Sequence, residues 1–224
     1  MDLAKFIWLL KEKRLFLSCL DKLGDPYEGS HTVKTIQAIE EFLSSRDHKD
    51  GWMKIAELHR RARAEIYVCC WHEGAHESEA MWRLYSQNAN GIAIQLTYGE
   101  LVKSIENCHE VYIGRIRYID YSQEWFPDAN IYHPIMHKRI AFSHEREVRM
   151  VCRFSDQQYD PVTGKGTLSS ISVPWDPARW VSKVYIHPYA PEYFFDAVNA
   201  VIDAMMPCIR SRVVWSQMRE LPTF

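Results

Sequence analysis

The sequence predicts an α+β fold with a mainly antiparallel, split β-sheet flanked by helices, and three observations predict it. Apolar stretches of strand length recur without the regular strand–helix alternation that a parallel, doubly wound sheet requires. Blocks of helical periodicity stand between them. One stretch, Glu145 to Phe154, alternates so regularly that both faces can be read: Val148, Met150, Cys152 and Phe154 on one, Glu145, Glu147, Arg149, Val151 and Arg153 on the other. At 224 residues, 47% of them apolar, residues 1–224 suffice for one sizeable core and are expected to form a single domain.

From the N-terminus, Leu3, Phe6, Ile7 and Leu10 recur at helical spacing, and Leu15 to Leu20 reads as a strand. Asp21 to Thr32 is turn-rich: Gly24-Asp25-Pro26 cannot continue regular structure, and Tyr27, Glu28 and Ser30 put polar groups beside the strand's end. Val33, Ile36, Ile39 and Leu43 predict a second helix, broken over Asp47 to Gly51, and Ile55, Leu58 and Ala62 a third. Ile66 to Trp71, β-branched, aromatic and cysteine-rich, suits a buried strand. Glu77, Ser78 and Glu79 offer a cap and early negative charge for a helix through about Gln87, with Met81, Leu84 and Tyr85 on one stripe. Asn88-Ala89-Asn90-Gly91 ends it, Gly91 to Leu96 is the next strand, and Thr97 caps a helix carrying Leu101, Val102 and Ile105.

Glu110 to Tyr118 has strand composition, with Arg115 and Arg117 pointing the same way, and Ile135 to Phe142 reads as helix with Lys138 and Phe142 one turn apart. The charged face of Glu145 to Phe154 suits either a solvated exterior or a charged cleft. Asp156 to Gly166 is a hairpin-like connection, Thr167 to Val173, Val181 to His187 and Arg212 to Trp215 are further strands, and Pro191 to Met205 is a helix with Phe194, Val198 and Val201 inward. The sheet is expected to include Leu15 to Leu20, Ile66 to Trp71, Gly91 to Leu96, Val111 to Tyr118, Glu147 to Phe154 and Val181 to His187.

A net charge of −2 gives no global attraction to nucleic acid. Apolar runs stay under ten residues and the N-terminus alternates charged and apolar groups, which predicts no membrane span and no signal peptide. Six cysteines lack paired spacing, and adjacent Cys69 and Cys70 would form a strained disulfide; a reducing cytoplasm is the expected compartment.

The stretch WHEGAHESEAMWRLYS followed by GIAI resembles the pattern of a bacterial family known as domain of unknown function 2971. LFLSCLDKLGDPYEGSHT and HKRIAFSHEREVRMV are similar to two further segments of that family, so the resemblance reaches most of the chain. Family members place a short strand with a basic and aromatic pair ahead of the segment matching Met1-Asp2-Leu3, and the present sequence begins after it. More distantly, the order of these segments is similar to ADP-ribosyltransferase-like folds, in which a split sheet grips NAD.

What that similarity implies is an NAD-dependent effector, of the kind bacteria use against phages or rivals. Such enzymes need a carboxylate near the ribose, a cation, and aromatic walls for nicotinamide, because the bond breaks through an oxocarbenium-like state. Glu147 is the implied ribose carboxylate, with Glu145, Arg149 and Tyr85 beside it; Trp71, His72, Ser78, Trp82, Lys138, Asp25 and Glu28 are the implied cofactor-binding set. These residues and Glu77 are expected to converge on one cavity, since such groups are costly to bury without partners. The ligand would be a nucleotide and the acceptor a nucleic acid, a protein or water.

Other chemistry is weaker. His72 with His76 and His133 with His137 have metal-chelating spacing, but Gly74 and Pro134 break the helix each pair needs, and no metal is expected. Cys70 and His72 share a strand face, as a thiol nucleophile and its base would, although a buried cysteine explains the placement. The alternative class is a non-enzymatic module that recognises a protein or nucleic acid through Arg115, Arg117, Lys138 and Arg139.

Overall fold

A computed structural model describes residues 1–45, 51–108, 110–127, 130–154, 159–160, 165–166 and 168–222. The elements run α1 (Leu3–Glu12), β1 (Arg14–Cys19), α2 (Val33–Ser44), α3 (Gly51–Glu65), β2 (Ile66–His72), α4 (Glu79–Tyr85), β3 (Ile92–Gln95) and α5 (Tyr98–Ser104). Then come β4 (Val111–Arg115), β5 (Arg117–Ile119), β6 (His137–Arg139), β7 (Glu147–Arg153), β8 (Tyr159–Asp160), β9 (Lys165–Gly166) and β10 (Ser170–Pro174). The chain ends with α6 (Pro177–Trp180), β11 (Lys183–Ile186), α7 (Glu192–Met205) and β12 (Val213–Trp215). The protein is α+β, with a mainly antiparallel five-stranded sheet and helices. Among the described residues no helix is long and apolar enough to cross a membrane.

The chain forms two compact units. The first comprises Met1–Phe16, Gly74–His109 and Ser172–Phe224. Asp2 caps α1 by accepting from the Lys5 N–H at 2.8 Å, and the helix buries Phe6, Leu9 and Leu10. Its N-terminal ammonium donates to the Ile92 carbonyl at 2.7 Å, which ties the start of the chain to β3. The sheet here has the order β12-β11-β3, with β11 antiparallel to β3 and parallel to β12. Gly91 to Leu96 and Val181 to His187 therefore belong to a different sheet from the other expected strands, a correction to one common sheet. α7 covers this unit's core with Phe194, Val198 and Ile202, and a capping box of Thr97 and Glu100 starts α5.

The second unit comprises Leu17–Glu73 and Glu110–Ile171 and contains β2, β7 and β4, neighbours in the strand order β10-β1-β2-β7-β4. The pairings β1–β2, β2–β7 and β7–β4 are antiparallel. Register sets Val68 opposite Val151, Cys70 opposite Arg149 and His72 opposite Glu147. Because strand side chains alternate, these six share one face. Its inner end is apolar: Ile66, Val68 and Val151 pack with Leu20, Ala62 and Ile135.

Two expectations fail in this unit. Ile135 to Phe142 is not an α-helix; 3-10 turns at Pro134–Met136 and Ile140–Glu145 flank the extended β6, which pairs in parallel with β5. Extension sends the neighbouring Lys138 and Arg139 to different partners, a tertiary demand that outweighs local helical pattern. Glu110 to Tyr118 breaks at the buried Ile116, whose N–H donates to the Glu147 carbonyl at 2.9 Å, so Arg115 and Arg117 lie on separate sheets. The second helix forms where its spacing predicts it, as α2, and its buried residue is Thr35, whose hydroxyl donates to the Phe126 carbonyl at 3.0 Å. Of the expected break over Asp47 to Gly51, only Gly51 is described, and it opens α3; the rest lies outside the described residues, as does much of Asp156 to Gly166. Within the latter, β8 and β9 pair antiparallel.

Candidate functional site

The outer end of the shared sheet face is charged. Alternation along β7 puts Glu147 and Arg149 there, next to Cys70 and His72 of β2. Gly114 of β4, opposite Arg149, offers no side chain, and a Cβ there would stand 2.9 Å from the Met136 methyl. Glu28 arrives on the turn after β1. Gly29 shapes that turn with φ +68°, and a Cβ would lie 2.8 Å from Leu20 and 3.2 Å from Arg63, so both conformation and space demand glycine.

Arg149 is wholly buried, and each of its five N–H donors has an acceptor. Nε and Nη2 grip Glu147 at 2.6 and 3.0 Å, Nη1 and Nη2 reach Glu28 at 2.9 and 3.3 Å, and Nη1 donates to the Ile135 carbonyl at 2.7 Å. The Lys138 ammonium, also buried, meets Glu145 at 2.5 Å, Glu28 at 3.1 Å and Glu147 at 3.4 Å. Burial pushes the Glu147 carboxyl up, but Arg149 and then Lys138 outweigh it and hold the group below the usual carboxylate range. Three carboxylates against two cations leave one negative charge over.

Around this centre, Asp25 receives Arg139 at 2.7 and 3.2 Å, and the guanidinium lies 4.4 Å over the Tyr27 ring. The Tyr118 hydroxyl accepts from the Glu147 N–H at 2.8 Å. His72 Nδ1 is 2.7 Å from the Glu145 carbonyl; a carbonyl only accepts, so Nδ1 carries the proton and Nε2 is the lone-pair nitrogen of the neutral ring. Cys70 stands on the same sheet face, opposite Arg149. It is exposed to solvent, yet surrounding atoms desolvate it enough to push its thiol well above the usual range. Its raised pKa argues against a thiolate nucleophile.

Of the residues singled out by sequence, Asp25, Glu28, His72, Lys138, Glu145, Glu147 and Arg149 thus come together within the second unit. Trp71 does not: it pairs with Val148, and period two turns it to the opposite sheet face. Glu77, Ser78, Trp82 and Tyr85 belong to the first unit and have settings of their own. Glu77 accepts from the Trp82 indole at 3.1 Å and the Gln217 N–H at 2.8 Å, Ser78 caps α4, and Tyr85 is exposed. Tyr118 and Arg139 had not been assigned to this site; only the proximity of Arg139 to Lys138 signalled it.

The cations of the expected basic patch all have carboxylate partners, with Arg115 and Arg117 still exposed. Arg115 forms a two-pronged pair with Glu73 at 2.7 and 2.6 Å, Arg117 meets Glu124 at 3.2 Å, Arg139 holds Asp25, and Lys138 is buried. Among the described residues no three of His, Cys, Asp and Glu are grouped to hold a metal ion.

Residues 81–150 match the model of a family described as a protein of unknown function, DUF2971. That segment carries Lys138, Glu145, Glu147 and Arg149. No curated protein and no solved structure matches the chain.

Proposed function

We propose that the charged end of the second unit's sheet binds NAD and cleaves its glycosidic bond, in the manner of an ADP-ribosyltransferase-like effector turned against phages or rivals. One observation carries the reading: buried glutamates outnumber buried cations by one, on a sheet face where Cys70 is exposed to solvent. A fixed surplus of negative charge, sheltered from water, favours a centre that turns positive as it reacts. In glycoside cleavage that centre is the ribose C1′, which becomes oxocarbenium-like as the C–N bond breaks and nicotinamide leaves with the bonding electrons. An acceptor oxygen or nitrogen, from a protein, a nucleic acid or water, then bonds C1′ and releases its proton.

In this reading Glu147 is the ribose carboxylate, kept ionised by Arg149 and Lys138. Glu145 pairs with Lys138, Glu28 touches both cations, and the one surplus negative charge is shared by the three carboxylates. Asp25 steadies Arg139, and the His72 Nε2 lone pair offers an acceptor for a ribose hydroxyl. The proposal rests on the second unit alone.

Calorimetric titration with NAD, followed by a nicotinamide-release assay, tests it. NAD should bind, and Glu147→Gln should retain binding while turnover falls by roughly 100-fold or more. Glu145→Gln, at a position less entangled with Arg149, should also slow release, so a folding defect in the first variant leaves the test intact. Absence of binding at millimolar NAD by the folded protein overturns the reading.

A further inference from the structure

The first unit holds a cleft of about 610 Å³, lined among others by Trp82, Arg83, Ser86, Asn88, His187 and Tyr189. That volume falls within the span typical of small-molecule sites. We infer that it is a binding site for a purine nucleoside monophosphate, separate from the charged sheet end and not dependent on the NAD reading.

Its wall is aromatic. The buried Trp82 and His187 rings meet edge to face at 5.2 Å and 75°, and His187 meets Tyr189 at 5.8 Å. Tyr189 is 64% exposed, so one large ring stands uncovered beside two buried ones. The state of His187 is fixed as well. Its Nδ1 accepts from the Tyr189 N–H at 3.1 Å, which leaves the proton on Nε2, and burial favours the neutral ring. A neutral N–H donor next to an open ring suits a flat heterocycle with acceptor nitrogens.

The remaining lining supplies strain and charge. Asn88 and Ala89 both have φ of 57°, a left-handed pair in which alanine has no side-chain means of compensation. Strain of this kind collects at ligand clamps. Gly91 closes the same turn so tightly that a Cβ would lie 2.1 Å from the Ser86 hydroxyl, and that buried hydroxyl has no hydrogen-bond partner. At the rim, Arg83 Nε and Nη2 hold a single Glu79 oxygen at 2.9 and 2.7 Å, leaving its Nη1 side for an anion. The Arg83–Glu79 pair is neutral as a whole, and a single guanidinium offers one anchoring point, which suits a monophosphate better than a polyphosphate.

Titration of AMP and of adenosine, followed by tryptophan fluorescence and saturation-transfer NMR, decides the matter. Tyr189→Ala should weaken both ligands about tenfold, the range of one base–aromatic stack. Arg83→Ala should weaken AMP and leave adenosine unchanged, and Glu79→Gln should tighten AMP. All three side chains are exposed, so the fold should tolerate their loss. No AMP binding at millimolar concentration, or binding indifferent to both Tyr189→Ala and Arg83→Ala, overturns the inference. So does AMP binding abolished by Glu147→Gln, which would place the nucleotide at the other site. Failure of NAD binding with AMP binding intact leaves this inference standing alone.

Discussion

The two ends of one sheet face in the second unit are held in opposite ways. β2 and β7 run through both with unbroken antiparallel pairing, so the backbone is the same. At the inner end Ile66, Val68 and Val151 close against Leu20, Ala62 and Ile135 by dispersion and exclusion of water. At the outer end Arg149, Lys138, Glu28, Glu145 and Glu147 close by charge, where every partner is needed because no water replaces a missing one. The difference teaches that an equally buried position can be forgiving or unforgiving according to whether its partners are directional.

Arg149→Met should break the comparison most severely. It strands Glu28 and Glu147 without their shared guanidinium, and unfolding in urea should show a loss of about 3–5 kcal/mol. A loss under about 1 kcal/mol would mean the charged end contributes no more than surface pairs do. Acid is the next lever. Glu147 titrates below its unfolded value, so its contribution is complete above pH 4.5 and fades as pH falls through the folded pKa. Nearer neutrality, burial lowers the folded pKa of His137 and His187 beneath 6.5. The unfolded chain then takes up protons first, and stability should decline once pH drops below that value. A urea midpoint flat from pH 7.5 to 5 would contradict both histidine assignments.

Ile66→Val samples the inner end and should cost about 0.5–1.5 kcal/mol, since one methylene goes and neighbours close in. Glu145→Gln should change stability least, within about 1 kcal/mol, because it removes one of three carboxylates around two cations, keeps an amide oxygen for Lys138 to donate to, and leaves Lys138 its contacts with Glu28 and Glu147. A loss approaching that of Arg149→Met would show that the surplus charge is structural and not available to a ligand.

Period two made both ends legible before any coordinates: Val151, Arg149 and Glu147 fall on one face of β7 by counting, as Ile66, Val68, Cys70 and His72 do on β2. Caps were equally plain, as Ser78 and Thr97 show. Illegible were features set by distant chain. Lys138 sits on an extended segment because β5 pairs with it, and nothing local in Ile135 to Phe142 announces that partner. The break at Ile116 is another such case, since a single N–H aimed at Glu147 separates two strands of continuous strand-like composition. Trp71 was misplaced for a simpler reason: its aromatic bulk suggested a ligand wall, while its parity in β2 already assigned it to the other face.

Arg149 and Glu28 lie 121 residues apart in the chain, and Arg139 and Asp25 lie 114 apart. Pairs so remote contribute nothing to the first encounters of a collapsing polypeptide, when only short loops have closed. Contacts nearer in the chain, such as Ala62 with Ile66 and Val68, are free to order earlier, and the guanidinium is then dehydrated only as the turn carrying Glu28 arrives. Kinetic experiments should see this as asymmetry, with Glu28→Gln hastening unfolding while leaving the refolding rate almost untouched. The persistence of the native state, more than the speed of reaching it, is what that one long-distance ion pair governs.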